Sequence, residues 1–209
     1  MQRGRVLNLS RLKLTGFLLE NKILIISLFL FILGIIFGTS AVFDYSKIND
    51  FTKTFVTDFI QLRNNAVFFK IFLSSFLRSV MTLLIFLIFG TSIFGVVTVP
   101  LTLTVCGVFY GSIVSYIYSE FALKGIAFNA VIFLPSSIIF IIVLLLACRE
   151  AVNFSLKISS LTVSKSVSYN ISNQFKRFLI MLLIFVGFSL VSALVDATVS
   201  SAFIKYFNF

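Results

Sequence analysis

Uncharged apolar runs recur along the chain, with polar segments between them. Residues 23–43 hold 21 positions without a charge, enough for one helix to cross a hydrocarbon core. Residues 80–118 hold 39. As a single helix they would reach about 58 Å, nearly twice a core of about 30 Å. That run must fold back, and "GVVTVP" at 95–100 is where it can turn. Residues 126–148 hold 23, and residues 178–195 form the last run. Five spanning helices are expected, at about 23–43, 79–95, 101–118, 126–148 and 178–197. A signal peptide competes for the first run, because "GTSA" follows it. The length of that run and the membranous character of the rest favour a retained helix.

The connections carry their own patterns. Phe51, Phe55, Phe59, Leu62, Ala66, Phe69, Leu73 and Phe76 recur at spacings of four or three, a helical stripe. Lys53, Asp58, Gln61, Arg63, Asn64 and Asn65 occupy the other faces. An amphipathic helix is therefore expected across 50–76 in the first outer loop. It lies on the interface or packs on the bundle, with a docking face for a partner as the functional alternative. Residues 1–22 read as a basic flank or a basic amphipathic surface helix, and 149–177 as a hydrated basic connection. Pro135 falls within the fourth run. It removes a backbone donor and frees a carbonyl that Ser136, Ser137 or a neighbouring helix must meet. Either a kinked helix or a broken helix forming a site results.

Composition narrows the class. The chain is 59% hydrophobic and 11% charged, with mean hydropathy +1.12. This is an all-α integral membrane protein, a single polytopic domain over residues 1–209. There are 17 Lys and Arg against 7 acids. The basic residues flank or link the apolar runs, so they point to membrane lipid. Nucleic acid is not expected, because no basic patch is interleaved with stacking aromatics outside the membrane. Ten of the basic residues fall on the side of the N-terminus and seven on the other. The N-terminus is therefore expected in the cytoplasm and the C-terminus outside. With no Trp in the chain, Tyr45, Tyr110, Tyr116, Tyr118 and Tyr206 are candidate interface anchors.

Candidate chemistry is sparse. There is no His, no acid pair on one face of an apolar run, and no nucleotide or EF-hand motif. No catalytic residue, metal ligand or cofactor is expected, and the chain does not read as an enzyme. Cys106 and Cys148 read as small buried hydrophobes. Two GxxxG patterns, Gly34 with Gly38 and Gly107 with Gly111, offer close helix approach. Asp196 lies about 27 Å along the helix from Phe178, near the outer interface and wet or half-wet. Ser189, Ser192, Asp196 and Ser200 form one polar stripe. Asp196 then either accepts hydrogen bonds from a neighbouring helix or a partner's Arg or Lys, or is a solvated interfacial acid.

The order of these features resembles the stage II sporulation protein M family. The stretch "FGVVTVPLTLTVCGVFYGSIVSYIYSEFALKGIAFNAVIFLPSSIIFIIVLLLACREAVNFSLKI" carries the likeness. Within it lie Pro100, Gly107 and Gly111, "LKGI" at 123–126, Pro135 and "NFSLKI". The closing "SLVSALVDATVSSAFIKYF" is similar to the family's last helix. The family commonly has Glu at the place of Asp196, a proline soon after it, and Gln-Asn at the place of Ser136-Ser137. The resemblance implies a noncatalytic scaffold of the bacterial cell membrane. In the family it assembles with two peptidoglycan-degrading partners, sporulation proteins D and P, at the septal membrane for forespore engulfment. On the residues alone, a permease-like subunit of an export system is the alternative.

Overall fold

The computed structural model describes residues 21–44, 46–65, 67–163 and 171–206. The basic N-terminal segment up to residue 20, Tyr45, part of the 149–177 connection and the last three residues lie outside the described residues. Among the described residues six helices follow in order: α1 Lys22–Asp44, α2 Ser46–Asn65, α3 Phe68–Gly90, α4 Gly95–Phe128, α5 Leu134–Val163 and α6 Ile171–Phe203. A π-helical segment, Asn129–Phe133, joins α4 to α5, and a 3₁₀ turn, Ile204–Tyr206, closes the chain. Among the described residues there is no strand.

Among the described residues four helical stretches are long and apolar enough to cross a membrane: Lys22–Val42, Phe68–Gly90, Gly95–Ser160 and Ser172–Tyr206. The third is 66 residues long, about 99 Å if straight. It breaks at Ala122, whose φ of 48° and ψ of −127° lie far from helical values. Beyond the break the chain runs back along α4. The Ser155 hydroxyl donates to the Ser92 carbonyl just before α4, at 2.8 Å. At the other end the Asn129 amide donates to the Tyr118 hydroxyl, at 2.9 Å. The stretch is thus a helical hairpin. Exposed Phe29, Phe37, Ile88, Phe94 and Leu183 form an outer apolar surface suited to lipid.

Three boundaries differ from the sequence expectation. The first turn lies at 91–94, not 95–100, and Pro100 sits inside α4. Glycine permits this turn at Gly95, where a Cβ would strike the Phe89 carbonyl. Ser155 supplies a donor that the turn's carbonyls need in an apolar setting. The expected amphipathic connection over 50–76 is two elements. Its helix ends at Asn65, Ala66 lies outside the described residues, and Phe69, Leu73 and Phe76 belong to α3, where Phe69 and Leu73 are exposed. Those later positions were periodic because they face the surroundings, not the core. The expected span 79–95 correspondingly begins at Phe68 and takes in Lys70 and Arg78. Tyr110 and Tyr116, expected as interface anchors, lie inside: Tyr116 is buried and the Tyr110 ring is 5.1 Å from that of Phe133.

Two clusters hold the bundle together. The larger gathers Leu83 and Phe86 of α3, Leu103 of α4, Leu144 and Cys148 of α5, and Phe178 and Leu182 of α6. The smaller packs α2 against the hairpin, with Val56, Phe59 and Ile60 on Ile113, Ile117, Phe128 and Ile132. Burial of a large aliphatic or aromatic side chain is worth about 1.5–3 kcal/mol in water. In lipid that term is absent between helices, and close packing and hydrogen bonds carry association instead.

Candidate functional site

The four glycines of the two GxxxG patterns face one another. α1 packs more extensively on α4 than on any other helix. A Cβ at Gly107 would lie 2.5 Å from the Phe31 carbonyl oxygen and 3.2 Å from the Gly34 Cα. One at Gly38 would strike the Val108 carbonyl, and one at Gly111 the Ile35 carbonyl. Backbones this close leave room for serines to bond across the seam. The Ser112 hydroxyl donates to the Gly38 carbonyl at 3.2 Å and the Ser115 hydroxyl to the Thr39 carbonyl at 3.3 Å. The pairing increases in both helices together, so α1 and α4 run parallel.

The opposite face of α4 borders a cavity of about 290 Å³. Helix periodicity separates the two faces: Gly107 and Gly111 point to α1, while Cys106, Phe109, Tyr110 and Ile113 line the cavity. α5 supplies Ser136 and Ser137, the residues that follow Pro135. Pro135 stands just after the π-helical segment, and the helix continues through it unbroken. The Ser192 hydroxyl of α6 donates to the Ser136 carbonyl at 2.8 Å. This bond ties α6 to the backbone of α5 just after the proline.

Asp196 lies at the wall of this cavity, and its setting corrects the sequence expectation. It is 5% exposed, neither wet nor half-wet. Arg63 Nη2 donates to Asp196 Oδ2 at 2.5 Å. The Ser75 hydroxyl of α3 donates to the same oxygen. Arg63 is 2% exposed; its Nε donates to the Ser200 hydroxyl at 3.0 Å and its Nη1 to the Phe59 carbonyl at 3.4 Å. Its guanidinium carbon sits 3.3 Å over the Phe59 ring centre, a cation–π contact. Burial lowers the Arg63 pKa, and the Asp196 carboxylate opposes that shift. An arginine starts so high that it stays charged. The pair therefore ties α2 to α6, with α3 joined through Ser75.

Arg63 was the residue the sequence pattern misassigned to a polar face. The missed signal was its place four residues after Phe59, on the same helical side as the apolar stripe. The polar stripe of α6 is legible in sequence, and two of its hydroxyls serve the site: Ser192 donates to the Ser136 carbonyl, and Ser200 accepts from Arg63 Nε and donates to Asp196 Oδ1 at 3.4 Å, while Ser189 bonds its own helix at Val186. The structure brings together Asp196 and the residues beside Pro135, and keeps Gly34, Gly38, Gly107 and Gly111 in the separate α1–α4 seam. Among the described residues no group of His, Cys, Asp and Glu could hold a metal.

Comparison with known proteins gives one match. The family model described as stage II sporulation protein M covers residues 27–201. No curated protein and no solved structure matches the chain.

Proposed function

Because this chain belongs to the stage II sporulation protein M family, a family of sporulation-related bacterial membrane proteins, we propose that it is a noncatalytic scaffold. It recruits peptidoglycan-degrading partners, sporulation proteins D and P, to the septal membrane during forespore engulfment. One observation supports this reading beyond the family: α2 is a docked platform. Its buried side, Val56, Phe59, Ile60 and Arg63, is packed on the bundle and pinned by Asp196. Its other side presents Lys53, Thr54, Thr57, Asp58, Gln61 and Asn64, all exposed. A polar helix face held rigidly against a membrane bundle presents a ready surface at low ordering cost to a soluble partner domain. With the N-terminus in the cytoplasm, that face and the C-terminus look outward, toward the wall.

Affinity purification from sporulating cells in mild detergent tests the proposal. The expected result is recovery of sporulation proteins D and P, and its loss on Asp58→Lys with Gln61→Arg at unchanged abundance of the chain. The cavity favours a second reading, a permease-like subunit of an export system, because such a subunit needs an internal space. Recovery of an ATPase in place of the wall hydrolases would establish that reading and defeat the scaffold.

A further inference from the structure

The cavity carries an unbalanced charge. Two guanidinium groups, Arg63 and Arg78, and one carboxylate, Asp196, line it. Arg63 takes the carboxylate. Arg78 lies within electrostatic reach of both, yet among the described residues it forms no ion pair. Its Nη2 donates to the Ser74 hydroxyl at 3.3 Å, and its guanidinium carbon is 5.4 Å from the Phe55 ring centre and 5.6 Å from that of Phe59. The residue is exposed and belongs to a candidate membrane span. It stands about 15 Å along α3 from Phe68. A lone cation at such a place needs a counter-ion.

The surroundings indicate which anion. Leu77 and Met81 beside Arg78 are exposed and apolar, so this side of α3 faces lipid. The cavity is also lined by the hydroxyl-bearing Ser79, Thr82, Ser137 and Tyr110, with Ser79 and Thr82 donating to their own helix at the Ser75 and Arg78 carbonyls. Its apolar wall includes Phe109, Phe140 and Leu144. Its volume of about 290 Å³ suits a headgroup with its nearest methylenes, at the small end of ligand pockets of roughly 300–1,000 Å³. Basic pockets between membrane helices bind anionic headgroups elsewhere. We propose that this cavity binds the phosphate headgroup of an anionic membrane phospholipid. Arg78 is its counter-ion, and the lipid's first methylenes lie against Phe109, Phe140 and Leu144. The proposal is independent of what the α2 platform recruits.

Cys106, half-buried on the cavity wall, reports occupancy directly. The full chain, delipidated in detergent and carrying Cys148→Ser, is treated with methyl methanethiosulfonate, and modification of Cys106 is followed by mass spectrometry. Phosphatidylglycerol should slow modification at least tenfold in a saturable manner, while phosphatidylcholine and inorganic phosphate should not. Arg78→Gln should abolish the protection with unchanged thermal stability in lipid-free detergent. Thr82→Trp, which narrows the cavity and keeps both arginines, should slow modification without any lipid and remove the further response. Equal protection by phosphatidylcholine, protection by inorganic phosphate at the same concentration, or undiminished protection of Arg78→Gln would overturn the proposal.

Discussion

Asp196→Ala is the sharpest perturbation of the site. It removes the only carboxylate that meets the Arg63 guanidinium among the described residues. The cation keeps the Ser200 hydroxyl, the Phe59 carbonyl and the Phe59 ring, but none of these carries a full negative charge. Breaking a buried pair from one side costs about 3–5 kcal/mol, because a charge is left buried without its partner. α2 escapes that cost by undocking, since Arg63 reaches water or headgroups once the helix lifts. At about 1.4 kcal/mol per tenfold change in an equilibrium, the undocked fraction of α2 should rise by roughly 10²- to 10³-fold or more. Amide hydrogen exchange, resolved over residues 50–62 in detergent, reads that fraction. Exchange there should accelerate by the same factor, with little change in α5. Asp196→Asn keeps acceptor capacity without the charge and should fall between. The paired variant Arg63→Met with Asp196→Leu removes both charges and should restore exchange to within about tenfold of the parent. Unchanged exchange in Asp196→Ala would show that the pair contributes no more than an exposed one, under about 1 kcal/mol. Exchange in the paired variant as fast as in Asp196→Ala would show that shape, not charge, docks α2.

Three further outcomes are expected. Gly111→Leu should lower protein abundance in the membrane several-fold, because its Cβ meets the Ile35 backbone, whereas Gly187→Leu should be neutral, with nothing within 4 Å of its Cβ. In a background lacking Cys106 and Cys148, cysteines at Asn49 and Asn208 should label from outside intact cells and one at Ser159 should not; the reverse pattern would invert the orientation. Ser155→Ala should destabilise the turn between α3 and α4 by about 1 kcal/mol through loss of the bond to the Ser92 carbonyl, measured by thermal unfolding in detergent.

Local pattern revealed the elements and hid their meetings. Apolar run length identified the spanning segments, since a bilayer fixes how long an uncharged helix must be. Spacing marked both glycine faces, although nothing in one chain's periodicity says that Gly34 and Gly107 share a seam. The reversal at Ala122 had a weak signal, the charges of Glu120 and Lys124 on either side of it. Asp196 was placed by counting along its own helix, which does locate it near the end of the span. That count omits α2, which folds back over the span's end and keeps the acid dry. Arg63 reads as an ordinary loop cation in sequence because its burial and its carboxylate partner are set by packing between elements far apart in sequence.

The parallel seam of α1 and α4 also sets an order of events during synthesis. The Gly38 carbonyl and the Ser112 hydroxyl that bonds it are separated by 74 residues, and α2 and α3 are made in between. At roughly 5–20 residues per second, α1 waits about 4 to 15 s for the helix it packs against. Through that interval its glycine face, which needs another backbone, is held in the membrane without one. Slow elongation through α3 therefore lengthens the exposure of α1 to quality-control proteases, while mutations in α4 act on α1 as strongly as mutations in α1 itself.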